Sequence, residues 1–172
     1  MVTSDFLVIG GGIIGINVAR QLKRQFYDAT ETVIENGNHC GTHVSGRKSG
    51  VLHAGFYCSP ESLKAKFTGI GNKRLTEYGE SKQILMNRLG KLVVTIDDSE
   101  HSALDKLLRR GKVNGIDLQA ITEEEAKPIE PRVKTYQRAL FFSITSTVDP
   151  TEALQSMPSD AIDEWVQVRC GV

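Results

Sequence analysis

Gly10, Gly12 and Gly15 lie within Asp5-Phe6-Leu7-Val8-Ile9-Gly10-Gly11-Gly12-Ile13-Ile14-Gly15, and Glu35 follows about twenty residues after the last of them. That spacing is suited to holding the ADP part of a dinucleotide. Gly10 permits a tight turn, Gly12 lets a pyrophosphate approach the backbone, and Gly15 lets a helix pack closely on a strand. Ile14 falls in the first helical turn, among the cofactor-binding positions. The unpaired N–H groups and positive dipole end of that helix face the phosphates. Glu35 accepts hydrogen bonds from both ribose hydroxyls. The competing reading, a glycine-rich turn in an unrelated α/β domain, explains neither the second strand nor its terminal acid.

A second chemical stretch runs from Cys40 to Tyr57, Cys-Gly-Thr-His-Val-Ser-Gly-Arg-Lys-Ser-Gly-Val-Leu-His-Ala-Gly-Phe-Tyr. Its small residues let backbone approach a flat ring. Ser45 and Ser49 can donate to phosphate, and Arg47 can neutralise it. Arg47 read plainly is a solvated loop charge. The run Glu123-Glu124-Glu125 suits a helix start, where negative charge meets the dipole, better than a metal site. His39 and His101 have no supporting context, and His43 is read as shaping its loop. Cys58 would be reactive only if something lowered its pKa.

Several elements must position these groups. Residues 6–9 form a short apolar run that predicts a buried parallel strand. Residues 13–24 carry helical spacing, with Ile14, Val18, Ala19 and Leu22 on one stripe, and residues 32–34 predict a second strand. The polar, glycine-rich stretch 36–55 is too long for a simple connector. Ser59-Pro60 predicts a helix start with serine as cap, and Leu63, Phe67, Ile70, Leu75 and Tyr78 as the buried side. Gly69 and Gly71 weaken that helix by about 1 kcal/mol each. A strand is expected over 91–96, a helix capped by Ser99 and ended by Asn114-Gly115, a capping box at Thr122 and Glu125 before Pro128, and a strand over 139–143. Asp149-Pro150-Thr151-Glu152 starts a last helix, which Pro158 should shorten, kink or disrupt. Residues 165–169 read as a strand with nothing after it to cover or continue it.

With 172 residues, 21 basic and 21 acidic, the chain has no net charge and no basic stripe with interleaved aromatics, so nucleic acid is not expected as a partner. Cys40, Cys58 and Cys170 are scattered, form no C-x-x-C pair and argue against zinc; they suit a reducing compartment. The apolar start lacks a positive n-region and carries Asp5, so it is not read as a signal peptide. No run reaches the length of a membrane span. The cytoplasm is the expected location, with the inner face of the plasma membrane as a variant.

The fingerprint and the 40–57 stretch together resemble the FAD-dependent L-2-hydroxyglutarate oxidase/dehydrogenase group of the D-amino-acid-oxidase-like flavoproteins. Pro60-Glu61-Ser62-Leu63-Lys64-Ala65-Lys66, Gly90-Lys91-Leu92-Val93-Val94, Glu130-Pro131-Arg132 and Thr147-Val148-Asp149-Pro150 extend the resemblance from about residue 5 to about residue 155. It implies an α/β fold: a Rossmann-like FAD-binding βαβ layer with part of an interleaved α+β substrate domain, cut short after Val172. Residues 1–84 would be the first FAD segment, 85–148 a partial substrate domain and 149–172 a return to the FAD part. It implies oxidation of L-2-hydroxyglutarate to 2-oxoglutarate by hydride transfer to flavin N5, with oxygen or a membrane quinone as electron acceptor and peripheral membrane association compatible with the latter.

FAD would be held by Gly10, Gly12, Ile14, Gly15, Glu35, Thr42, Ser45, Arg47, Ser49, Gly50 and Val51. His53 is the candidate to accept the substrate proton, against an ordinary structural histidine, and Tyr57 the candidate to line the substrate pocket, against ordinary core packing. No metal is expected. Lys48 stands where the group shows asparagine and Cys58 where it shows a second tyrosine; Lys48 adds a charge beside the implied flavin site. Two other accounts compete: a non-catalytic remnant that at most binds FAD, and a related flavoprotein for glycerol-3-phosphate or amino acids.

Overall fold

A computed structural model describes residues 3–172, and the chain divides into two units. The first joins the residues up to Gly50 to Asp149–Val172; the second is Val51–Val148. The segment 51–84, expected from sequence with the FAD part, therefore belongs to the second unit.

The first unit is a three-stranded parallel sheet with two helices. Strands β1 (Phe6–Ile9), β2 (Glu31–Glu35) and a late strand, Gln167–Cys170, run in the order β1, β2, late strand. Phe6 pairs with Glu31 and Ile9 with Ile34, while Glu35 lies opposite Cys170. The final strand is thus continued sideways by β2. Helix α1 (Ile13–Gln25) follows β1 and packs on both strands of the βαβ unit. Its fully buried residues are Ile16 and Ala19, one turn apart; Ile14 and Val18 from the expected stripe are 77% and 44% exposed. The helical period was right, but the buried face is turned toward Ile16, because partners on the sheet and the last helix decide which side is covered.

That last helix, Pro150–Asp163, begins where expected. Asp149 caps it, its Oδ1 accepting from the N–H groups of Thr151 (2.7 Å) and Glu152 (3.4 Å). It continues through Pro158 without ending, against the expectation of a shortened or broken helix. Leu154, Met157 and Ala161 bury one stripe around the proline, and that packing holds the helix across the missing hydrogen bond. At its far end Glu164 accepts from Arg20 (2.7 Å) and Arg24 (2.5 Å), tying the helix to α1.

The second unit carries two antiparallel sheets. In one, Val51–Leu52 (β3) and Met86–Asn87 (β4) flank a central strand, Ser146–Val148; in the other, Lys91–Val93 (β5) and Gln119–Ile121 (β6) flank Ala139–Phe142 (β7). Phe56, Ala54, Leu118 and Phe142 form its buried cluster. The helix expected from Ser59 starts later: Glu61 adopts a left-handed φ of 63°, and Ser62 becomes the cap of α2 (Leu63–Ser81), accepting from Ala65 N–H at 3.1 Å. Its expected buried side is reversed at the N-terminal end, with Leu63 69% and Phe67 62% exposed.

The helix expected from Ser99 begins instead at His101, after a 3-10 turn over Asp98–Glu100 capped by Asp97; it is α3 (His101–Val113). The capping box forms as expected, Glu125 N–H donating to Thr122 Oγ1 and Thr122 N–H to Glu125 Oε2, at the start of α4 (Glu123–Ala126). With these named, the central strand of the first sheet is β8, the helix after Asp149 is α5, and the final strand is β9.

Candidate adenine-dinucleotide site

The site lies in the first unit, where β1 turns into α1. Gly10 takes a φ of 105°, a conformation open to glycine and strained for other residues, and its N–H donates to Ile34 O at 2.8 Å. Gly15 has no room for a side chain: a Cβ there would collide with the Gly10 carbonyl oxygen. These two glycines bring the strand end and the helix N-terminus together. A Cβ on Gly12, the N-cap of α1, would sit 3.0 Å from Ser45 Oγ.

Ser45 belongs to a 3-10 turn over Val44–Arg47, and its Oγ accepts from Ile13 N–H at 3.2 Å. This serine therefore closes one of the orphan donors at the helix start, while its own O–H remains able to donate. The placement fits an anion bound at the N-terminus of α1, with Ser45 beside it. Ile14 has its side chain 77% exposed on the first helical turn.

Glu35 ends β2 with its side chain buried. Oε2 accepts from Gly11 N–H at 2.7 Å and Oε1 from Gly37 N–H at 2.8 Å. The Gly37 and Gly11 N–H groups, with His43 beyond them, hold the carboxyl below the ordinary glutamate range despite its burial. The group is thus an anchored carboxylate, and each oxygen keeps a lone pair for a hydroxyl donor. Residues that sequence reasoning did not assign complete this arrangement. Gly11 and Gly37 orient the carboxylate by backbone alone, and His43 brings Nδ1 to 3.7 Å from Oε1. A glycine two residues after the acid was the available signal for Gly37; His43 is read from the sequence only as shaping its loop, and the structure also sets it beside Glu35.

Beside the carboxyl ends of β2 and β9 lies a groove of about 590 Å³ lined by Cys40, Gly41, Leu154, Pro158, Val168 and Cys170, among others. Ligands of open parallel sheets bind outside the carboxyl ends of strands. Thr42, whose Oγ1 donates to His39 O at 3.3 Å, also borders it. Arg47 and Ser49 are exposed, and Gly50 closes the unit's first segment with a φ of 71°.

The remaining expected site residues belong to the second unit. Val51 pairs through its backbone with Thr147 in the β3–β8 ladder. His53 is exposed just after β3. Tyr57 is 44% exposed, stacks on Phe56 with ring centroids 4.2 Å apart, and carries Lys91 Nζ over its face at 4.7 Å. Lys91 is thereby a cationic neighbour of Tyr57 that the sequence did not indicate. Among the described residues no group of His, Cys, Asp and Glu side chains could hold a metal ion, and no helix is long and apolar enough to cross a membrane.

The chain matches the model of a protein family described as FAD dependent oxidoreductase over residues 5–172. It is 34% identical over 165 residues to a mitochondrial L-2-hydroxyglutarate dehydrogenase of Nematostella vectensis, covering 95% of this chain and 33% of that protein. It is 36% identical over 129 residues to the L-2-hydroxyglutarate dehydrogenase of Escherichia coli strain K12, covering 75% of this chain and 31% of that one. The chain thus spans about a third of the length of the curated relatives it matches. Among solved structures it resembles the dithionite-reduced L-alpha-glycerophosphate oxidase of Mycoplasma pneumoniae with FAD bound. That likeness has a TM-score of 0.87 and 28% identity, and covers 99% of this chain and 45% of that one. The glycine turn, the anchored Glu35 and the family match over 5–172 agree: the chain belongs to the FAD-dependent oxidoreductase family.

Proposed function

We propose that this chain holds the ADP half of FAD in an oxidoreductase acting on L-2-hydroxyglutarate. The observation that carries the cofactor part is Glu35, an ionised carboxylate anchored by Gly11 and Gly37 N–H groups beside the glycine turn. Its free lone pairs accept the two ribose hydroxyls. The N-terminus of α1 and the Ser45 hydroxyl face the pyrophosphate, and the exposed Arg47 neutralises it. When bound, the flavin supplies a two-electron acceptor, and the protein supplies placement and electrostatics. Thr42, Ser49 and Gly50 are further candidates for cofactor contact in the first unit, and Val51 is one in the second. His53 accepts the proton of the substrate hydroxyl, and Tyr57 borders the substrate with Lys91 over its ring.

The choice of substrate is supported by relatives at 31–38% identity that are L-2-hydroxyglutarate dehydrogenases. A second reading, a glycerol-3-phosphate oxidase, is favoured by the likeness in fold to the Mycoplasma enzyme. Dye reduction by FAD-saturated protein, with L-2-hydroxyglutarate, glycerol-3-phosphate and D-amino acids offered separately, distinguishes them. Reduction with the hydroxy acid alone is the expected result. Reduction with glycerol-3-phosphate and none with the hydroxy acid overturns the substrate assignment. Flavin retention with no reduction on any substrate assigns the chain a binding role only.

A further inference from the structure

Cys40 and Cys170 stand 130 positions apart in sequence, yet their Sγ atoms lie 3.8 Å from each other in the first unit. The backbone holds them there. Cys170 is the β9 partner of Glu35, and the chain just beyond it is zipped to the loop after β2, Gly171 N–H donating to Gly37 O (3.0 Å) and Val172 N–H to Glu35 O (3.3 Å). On the other side, Gly41 N–H donates to Gly11 O at 3.0 Å, fixing the residue next to Cys40. Cys40 also packs tightly on the glycine turn, since a Cβ on Gly11 would sit 2.6 Å from its Sγ. Both sulfurs border the groove that Gly41, Leu154, Pro158 and Val168 also line, and both are thiols.

We propose that Cys40 and Cys170 are a disulfide-forming pair, closed by thiol–disulfide exchange with a soluble disulfide such as oxidised glutathione and opened again by a dithiol. Only about 1.8 Å separates the present Sγ spacing from a disulfide bond length of roughly 2.05 Å. Cys170 is exposed and Cys40 half-buried, which orders the steps. The Cys170 thiolate attacks one sulfur of oxidised glutathione, the S–S bond of that molecule breaks, and one glutathione leaves as thiolate. Cys40 then loses its proton to solvent and attacks Cys170 Sγ, displacing the second glutathione. Two protein thiols are oxidised by two electrons, one glutathione disulfide is reduced, and two glutathione thiols result. Burial pushes the Cys40 thiol up, so Cys40 serves as the slow resolving thiol rather than the entry point. Closure joins the loop after β2 to β9 across the end of the strand that carries Glu35. It also closes a long loop, which constrains the unfolded chain. Only the relevance of this clamp to cofactor binding rests on the function proposed above; the pairing does not.

The test titrates the full chain with oxidised glutathione, alkylates remaining thiols, and maps peptides by mass spectrometry, with Cys58 as internal reference. The expected product loses two hydrogens and links the Cys40 and Cys170 peptides, while Cys58 stays alkylated or carries glutathione. Its thermal midpoint rises by several degrees and returns with dithiothreitol. Cys40→Ser stops at glutathione on Cys170, and Cys170→Ser gives no intramolecular link. The pairing is overturned if Cys40 and Cys170 stay alkylated where Cys58 is modified, if glutathione persists on Cys170 of the unsubstituted chain, or if the link involves Cys58. Flavin retention by reduced protein, read separately, reports on the cofactor reading without touching this one.

Discussion

Among single residues, cofactor binding depends most on how Glu35 is held. Two backbone N–H groups, from Gly37 and Gly11, stabilise its charged form. Glu35→Gln keeps the shape and loses the charge. Hydrogen bonds to charged groups contribute about 1.5–3 kcal/mol, so FAD affinity is expected to fall roughly 10- to 100-fold, measured by flavin fluorescence titration. The same substitution has a pH signature. A carboxyl with a depressed folded pKa contributes stability that is fully present above the ordinary glutamate range and is lost as pH falls through the folded value. Unfolding free energy of the unsubstituted chain should therefore drop more steeply on acidification than that of Glu35→Gln, in urea titrations at stepped pH. Gly15→Ala drives a methyl group into the Gly10 carbonyl and should cost about 1–3 kcal/mol, since neither the turn nor the helix start can yield freely. The turn glycines and the acid at the strand end could be located from the sequence, because their spacing fixes the turn and the end of β2. His43 beside Glu35 could not, because the path of the loop after β2 sets that contact, nor could Cys170 beside Cys40, which the β2–β9 pairing brings together across 130 positions.

At the level of elements, the caps expected at Asp149 and Thr122 form, whereas those expected at Ser59 and Ser99 give way to Ser62 and Asp97. The cap at Asp149 and the box at Thr122 and Glu125 are contacts within three residues, so sequence carries them in full. Faces of helices are different. Phe67 sits at helical spacing from Leu63 and Ile70, yet lies 62% exposed, because periodicity gives a stripe without saying what covers it. The interior of α2 also carries Gly69 and Gly71, where a Cβ would meet nothing within 4 Å. Gly69→Ala and Gly71→Ala should each stabilise the chain by about 0.5–1 kcal/mol, read as a rise in denaturation midpoint. An opposite effect is expected at the start of β2. Glu31 is fully buried with neither carboxylate oxygen hydrogen-bonded, and Lys23 Nζ, at 3.4 Å, is its ion-pair partner. Lys23→Met leaves that charge uncompensated and should cost about 3–5 kcal/mol, whereas Lys23→Met with Glu31→Leu should recover much of the loss. Equal destabilisation by the single and double variants would show that the pair's charge is not the cause.

At the scale of the molecule, the two units divide the expected site residues between them. The residues proposed to hold ADP, within Gly10 to Gly50, lie in the first unit, and Val51, His53 and Tyr57 in the second. The chain has no net charge, and β1 stands at the edge of its sheet with Leu7 58% and Ile9 80% exposed. Exposed apolar side chains on a sheet face favour association, so Leu7→Lys should lower light scattering at a given concentration. Whether the first unit holds FAD is decided by the visible absorption spectrum of the purified chain after FAD addition and desalting. A two-band flavin spectrum retained at near-stoichiometric amount, and much reduced in Glu35→Gln, is expected. A soluble, cooperatively folded chain that keeps no flavin would contradict FAD binding there.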